Sequence, residues 1–406
     1  VNEWVTRFRQ SLGGYEGTKV YLADWIAGEI LPRCKPGYIL DVCSGLGSVS
    51  YRMKLENRPV VSIDTQLYPY YSCMAVIENG TVRLAKDAVD WLLTGNANAY
   101  DDFHQKTFEG KYLPQFLLKA IDRIRYNIRY ADAKEWTSLS TRAIALVALG
   151  RAILSAKAHS NFSTSKPATR LRNETEFFDL FRGLVEKINA LVFSNGQENR
   201  AYFADGPTAV KDTARWKAPV AALYCDPPYV TSRSNPHYWA TYWFIEGMVT
   251  DWYDVRSGNQ SLEEFRVRHD VTTKDEVVRL LEDLVNAAAH IPLIAISYDA
   301  IGEPKPDDIA DILQETGRNT SIVSRAHVRH KIPSGEVLIV GMGKATRPVE
   351  PTPEPQPSLA KRVIQTLQER ELEESIEREL KNALSLYEQG DTEALEEAAK
   401  HAGIRV

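Results

Sequence analysis

An apolar run, Val220-Ala221-Ala222-Leu223-Tyr224, ends in Cys225-Asp226-Pro227-Pro228-Tyr229. If the run is a strand, one carboxylate and one ring stand at its carboxyl end, where open α/β sheets bind their ligands. Two successive prolines fix φ and lack amide donors, so the turn is stiff and Pro227 offers its carbonyl as an uncommitted acceptor. That pairing suits the exocyclic amino group of a nucleobase, whose lone pair is delocalised into the ring. Held by the Asp226 carboxylate and the Pro227 carbonyl, the amino hydrogens favour a tetrahedral nitrogen with its lone pair free to attack an electrophile. Tyr229 would stack on a base rotated out of a duplex. Asp226 then acts as orienter and electrostatic stabiliser of the developing positive charge. The bland alternative is a proline turn that merely closes a strand.

A second element lies upstream. The short apolar segment Tyr38 to Val42 hands over through Ser44-Gly45-Leu46-Gly47-Ser48 to a stretch of helical character, Val49 to Glu56, and Val60-Val61-Ser62-Ile63-Asp64 follows as another strand. Gly45 and Gly47 let backbone approach a ligand and expose amides at a helix N-terminus, and Asp64 can accept both hydroxyls of a ribose. Dehydrogenases, flavoproteins and methyltransferases share this pattern. Ser50 stands where the dinucleotide fingerprint has its third glycine, which favours a nucleoside cofactor without a pyrophosphate.

These residues need a sheet to hold them together. Strand and helix alternate from Trp4 to about Asp90, mainly helical sequence fills Ala85 to Gln197, and alternation resumes with strands at Val220 to Tyr224, Leu293 to Ser297 and Glu336 to Val340. A doubly wound α/β sheet interrupted by a helical insertion follows. The predicted organisation is a first catalytic part over 1–84, an insertion over 85–197, a second catalytic part over 198–346, a proline-rich extended linker over 347–357 and an acidic helical tail over 358–406. The tail carries apolar residues at helical spacing, which suits docking to a protein partner or a second copy.

Composition is that of a globular chain: 406 residues, 44% hydrophobic, 25% charged. The longest apolar run, Ala143 to Leu149, is too short for a membrane span, so no membrane partner is expected. Cys34, Cys43, Cys73 and Cys225 are scattered without ligand spacing, and His327 and His330 have no nearby companions, so no metal is expected. The net charge of -5 hides an asymmetry: Lys111 to Lys217 holds eighteen Lys and Arg against ten Asp and Glu, whereas Glu350 to Val406 holds seven against thirteen.

In these motifs the chain resembles the Dam-like, alpha-group adenine-N6 DNA methyltransferases over most of residues 7 to 345. Asp226 to Tyr229 matches the family's catalytic Asp-Pro-Pro-Tyr, and Asp41-Val42-Cys43-Ser44-Gly45-Leu46-Gly47-Ser48 resembles its Phe-x-Gly-x-Gly cofactor motif, with Cys43 in place of Phe. Tyr15-Glu16-Gly17-Thr18-Lys19 is similar to an element that contacts the cofactor's methionine part. Asp64 matches the ribose-binding acid, and Asp205 the residue that accepts the cofactor adenine's amino group. Glu336-Val337-Leu338-Ile339-Val340 resembles a late sheet strand. The resemblance implies a Rossmann-like class I methyltransferase sheet, S-adenosyl-L-methionine as cofactor, and site-specific transfer to the N6 amino group of a flipped adenine in double-stranded DNA. Tyr15, Lys19, Asp41, Ser44, Gly45, Gly47, Asp64 and Asp205 would then bind cofactor. Transfer would be a direct in-line displacement at the sulfonium methyl, without covalent intermediate or metal.

Family order makes the basic insertion a target-recognition domain. Arg123, Arg125, Arg129, Lys166, Arg170 and Arg172, with Arg142, Arg151 and Lys157, would meet phosphates and base edges. After the catalytic turn, Arg233, His237, Tyr238, Trp239, Tyr242 and Trp243 would fill the gap left by the flipped base. A cytoplasmic, bacterial or phage-encoded enzyme associated with the nucleoid is the implied setting, in restriction-modification or another role. Three alternatives stand beside it: a cytosine-N4 methyltransferase, for which the family places Ser at position 226; a nicotinamide-dependent oxidoreductase; and a DNA-binding module with a decayed site.

Overall fold

The computed structural model describes residues 2–343 apart from 96–99, 135, 159–161, 163–165, 216–217, 232–237, 268–270 and 330–331, together with 376, 380, 382–383 and 392–402. Arg233, His237, His330 and the linker at 347–357 therefore lie outside the described residues.

Seven strands form one sheet: β1 Tyr38–Val42, β2 Val60–Asp64, β3 Arg200–Phe203, β4 Val220–Cys225, β5 Leu293–Asp299, β6 Asn319–Arg329 and β7 Ile332–Met342. They are ordered β3-β2-β1-β4-β5-β7-β6. The first five are parallel, and β7 runs antiparallel to both β5 and β6. This is the expected Rossmann-like sheet. The order reverses between β1 and β4, which pair with Val42 opposite Cys225. The carboxyl ends of these two neighbours are therefore held side by side at the point where such sheets bind ligands. Both strands are almost continuously buried, as expected of parallel strands covered on two faces.

Two strands were not expected from the sequence as such. β3 is only Arg-Ala-Tyr-Phe at the sheet edge, with both aromatics exposed. β6 is rich in polar residues and pairs along its length with β7. Neither shows the apolar run or strict alternation that marks a buried strand.

Between β2 and β3 lie the helices Lys86–Thr94, Phe103–Thr107, Gln115–Arg129, Leu139–Ala156 and Glu174–Asn189. The helix Leu139–Ala156 starts with a capping box, in which Ser138 accepts from the Thr141 amide. By length and composition it could cross a membrane, but 67% of it is buried in this fold, against the helices Leu67–Cys73 and Glu174–Asn189. Residues Val1–Ala214 and Ala218–Pro348 form one compact unit, so the helical segment shares a core with the sheet's own elements. Its aromatic centre joins Phe108 to Trp243, Phe244 and Trp252. The second unit comprises 215–217 and 349–406. Within it, Leu380 and Ala383 pack with Leu395, Ala398 and Ala399, the last three on the helix Thr392–His401.

Candidate active site

Asp41, the next-to-last residue of β1, is fully buried. Its Oδ2 accepts from the Ser50 amide at 2.9 Å and the Ser50 hydroxyl at 2.6 Å, and that hydroxyl also meets Ser62 Oγ at 2.7 Å. Ser50, at the position of the absent third glycine, thus pins the helix Ser48–Leu55 to the end of β1. Burial pushes the Asp41 carboxyl up to about 7, with the Ser50 hydrogen bonds opposing. Asp41 forms part of the cleft wall, but its acceptor Oδ2 serves the turn.

The turn runs through left-handed backbone at Cys43, Gly45 and Gly47. The two glycines have different duties. A Cβ at Gly47 would lie 2.9 Å from Cys73 Sγ, so this glycine admits close packing of the segment Met74–Glu78 and the helix before it. It lies between Leu46 and Ser48, which line the cleft. Gly45 does line it, and a Cβ there would meet only Tyr15, at 3.8 Å. The Gly45 amide donates to Asp64 Oδ2 and the Gln66 amide to Asp64 Oδ1, both at 2.9 Å.

The segment 15–19 closes one side. Tyr15 stacks on Tyr242 with centroids 4.2 Å apart, and its hydroxyl donates to Gln66 Oε1 at 2.9 Å. The Glu16 amide donates to the Tyr242 hydroxyl at 2.7 Å, and Gly17, at φ +77°, leaves room for the Tyr238 hydroxyl. Of the aromatics expected to fill a gap in DNA, Tyr238 lines the cleft. Trp239, Tyr242 and Trp243 are buried instead, with Trp239 Nε1 donating to the Phe265 carbonyl. They sit on a helix, Tyr238–Val249, that is apolar nearly all round, and such a helix belongs in a core.

At the end of β4 the Asp226 amide donates to the Val42 carbonyl, tying the proline turn to β1. Lys19 Nζ lies 2.8 Å from Asp226 Oδ1, and the Ser297 hydroxyl on β5 donates to the same oxygen at 3.0 Å. Lys19 Nζ is also 3.7 Å from Glu336 Oε1 and 4.5 Å from the centre of the Tyr229 ring. Tyr229 donates its hydroxyl to Glu336 Oε1 and, at 3.3 Å, to Ser297 Oγ, which also bonds the Tyr224 hydroxyl at 2.7 Å. Burial raises the Tyr229 hydroxyl well above its ordinary value and pushes the Glu336 carboxyl up to about 7, where Lys19 opposes the shift. Tyr229 is half-buried beside the cleft, its hydroxyl anchored to β5 and β7 and the Lys19 ammonium over its ring.

The glycine turn and the Asp226 turn line one cleft that opens to solvent. Tyr15, Lys19, Ser44, Gly45 and Asp64 reach it from the cofactor side, and Asp226 and Pro228 from the other. Among its described lining residues, Glu16, Asp41, Asp64 and Asp226 face a single basic side chain, Lys19. Asp205 lies outside. Exposed at the end of β3, it caps the helix Gly206–Asp212 by accepting from the Thr208 amide at 2.9 Å.

The basic residues divide. Arg125 is buried, with Nε and Nη2 donating to the carbonyls of Met248 and Val249 at 2.8 and 3.1 Å, so it is not available to DNA. Arg129 pairs with Asp101 and Asp251, and Arg123 with Glu174 beside the rings of Tyr100 and Phe178. These three lock the helix Gln115–Arg129 to its neighbours, a duty that a regional charge count cannot separate from a free surface. Lys166, Arg170 and Arg172 are exposed, Arg172 pairing with Glu176.

Ser297 and Glu336 are the site residues that sequence reasoning passed over. Each is a polar side chain buried among apolar strand residues, which is the informative kind of exception.

A family model described as D12 class N6 adenine-specific DNA methyltransferase matches residues 15–248, a span that includes both turns. The chain is also similar to the Type II methyltransferase M2.HphI of Haemophilus parahaemolyticus, 22% identical over 330 residues that make up 77% of this chain and 90% of that one. Among solved structures, magnesium protoporphyrin IX methyltransferase (ChlM) from Synechocystis PCC 6803 with bound SAM aligns over 84% of this chain and 91% of its own. Its identity is 8% and its TM-score 0.27, which assigns nothing to this chain.

Proposed function

The chain belongs to the D12 class N6 adenine-specific DNA methyltransferases, and we propose that the cleft joining its glycine turn to Asp226 is where the methyl group passes to adenine. The enzyme is a site-specific adenine-N6 DNA methyltransferase whose donor is S-adenosylmethionine. The single observation that carries the assignment of the site is the shared cleft, with Gly45 and Asp64 in one wall and Asp226 and Pro228 in the other.

The lining fits that donor. Glu16 and Asp64 line the cleft, while Lys19, the one basic side chain among the described lining residues, is already paired with Asp226; this acidic lining disfavours a pyrophosphate and suits a ligand that brings a sulfonium, an ammonium and a ribose diol. When bound, S-adenosylmethionine supplies an electrophilic methyl group. Asp64 and Gly45 hold the nucleoside side, and Tyr15 shapes the wall next to them.

On the other side, Lys19 and Ser297 both engage Oδ1 of Asp226, which orients the carboxylate and leaves Oδ2 for an amino hydrogen. The Pro227 carbonyl takes the second hydrogen, and the nitrogen lone pair is directed at the donor. Positioning and the fixed negative charge of Asp226 supply most of the acceleration. The flipped base packs on Pro228 and Tyr238, which line the cleft.

Duplex DNA is the partner. Lys166, Arg170 and Arg172 contact its phosphates. A cytoplasmic setting beside bacterial or phage DNA, a restriction-modification role and docking through the helical tail belong to the same proposal. The test is to incubate duplex DNA with the protein and methyl-labelled donor, digest it and identify the nucleoside. Label in N6-methyl-2′-deoxyadenosine supports the reading, and label in N4-methyl-2′-deoxycytidine contradicts it.

A further inference from the structure

Glu336 opens the buried stretch of β7, opposite Asp299 on β5 and Arg325 on β6. It does not line the cleft, and a buried carboxyl costs several kcal/mol unless it is well partnered. Its partners are those of Asp226. Lys19 bridges the two carboxylates at 2.8 and 3.7 Å, and the Tyr229 and Ser297 hydroxyls form a second hydrogen-bonded route from Glu336 to Asp226 Oδ1.

Methylation at N6 turns an amino group into a methylamino group, so one proton must leave the nitrogen. Once the N–C bond has formed, the nitrogen carries a positive charge and the nearest acceptor is Asp226. We propose that Glu336 is the final acceptor of that proton, reached from Asp226 through Lys19. The N6–H bond breaks as Asp226 Oδ2 takes the proton; Lys19 gives one of its protons to Glu336, and the amine so formed takes the proton from Asp226 once that carboxyl has turned its Oδ2 towards Nζ. Asp226 ends as carboxylate and Lys19 as ammonium, Glu336 ends protonated, and no further reactant is consumed. The inference rests on reading Asp226 as the amino-group acceptor.

The geometry asks little movement: Lys19 Nζ must close by about 1 Å to hydrogen-bond Glu336. The groups facing Glu336 are Lys19, which favours its ionised form, Asp226 and Asp299, which oppose it, and the Tyr229 and Tyr224 hydroxyls. Arg325 has its guanidinium 5.9 Å over the Trp25 ring. The carboxyl lies at about 7, where it can both take a proton and release it to solvent between turnovers.

Single-turnover transfer is measured from about pH 5.5 to 9 for the wild type, Glu336→Gln and Glu336→Asp, with S-adenosylmethionine affinity from calorimetry. The cofactor-free proteins are titrated by infrared difference spectroscopy. The wild-type rate should fall as pH drops through about 7, and a protonated-carboxyl band should vanish over the same range as pH rises. Glu336→Gln should lose the part of that band that Asp41 does not supply, keep its cofactor affinity, run about 10- to 100-fold slower near pH 8 and lose the acid limb. Glu336→Asp should show an intermediate rate and a displaced limb, and it decides the matter if the Gln variant does not fold. A wild-type rate with an undisplaced limb in the folded variants removes the relay alone. Absence of transfer by the wild type removes the assignment of Asp226 and the relay with it.

Discussion

The ammonium of Lys19 lies 2.8 Å from Oδ1 of Asp226, with both side chains largely buried, at 8% and 17% exposure. The resemblance implies that Lys19 meets the cofactor's methionine part; in the structure Lys19 also pairs with Asp226, the proposed amino-group acceptor. Lys19→Met should therefore lower the methyl-transfer rate far more than the affinity for S-adenosylmethionine. It should also destabilise the fold by about 3 kcal/mol, because Asp226 and Glu336 would be left without their shared cation. Single-turnover kinetics, calorimetry and urea unfolding separate the three quantities.

The two glycines of the turn should respond differently to alanine. Gly47→Ala brings a Cβ within 2.9 Å of Cys73 Sγ at φ +82°, so thermal unfolding should show a loss of about 2 kcal/mol. Gly45→Ala meets only Tyr15, at 3.8 Å, and should cost about 1 kcal/mol from its φ of +52°, with its main effect on cofactor affinity.

Buried acids set the pH dependence of stability. Asp41 and Glu336 both have folded values near 7, above those of the unfolded chain. Between about pH 4 and 7 the folded state binds more protons than the unfolded one, so their contribution falls as pH rises through that window. Asp41→Asn keeps an acceptor for Ser50 and should make the decline shallower, by up to about 1.4 kcal/mol per unit of removed shift. Urea unfolding at a series of pH values measures the slope.

Arg125→Ala should destabilise the protein by about 2 to 4 kcal/mol and leave the salt dependence of DNA binding unchanged, since its guanidinium serves the carbonyls of Met248 and Val249. Replacing Lys166, Arg170 and Arg172 together by Ala should spare stability and flatten the logarithmic salt slope by up to about 2.7. Fluorescence anisotropy across a salt series checks both.

How much could be read from residues alone follows the kind of signal each leaves. The Asp-Pro-Pro-Tyr turn and the Gly45 turn announce themselves because stiff or permissive backbone is written in residue type, and the buried strands beside them are apolar runs. β3 and β6 leave no such mark: one is a short edge and the other mostly polar, and their pairing comes from β2 and β7. The duties of Arg125 and Lys19 depend on partners far along the chain, Met248 and Asp226, which local pattern does not reveal. Ser297 and Glu336 were visible as polar residues in apolar strands, but only the fold shows that they converge on Asp226.

The most direct test of the account compares Asp226→Ala with the wild type in one experiment: S-adenosylmethionine binding by calorimetry, and methyl transfer to adenine in duplex DNA by nucleoside analysis. Cofactor affinity should stay close to that of the wild type, with no detectable N6-methyl-2′-deoxyadenosine. Turnover retained by the variant would contradict it.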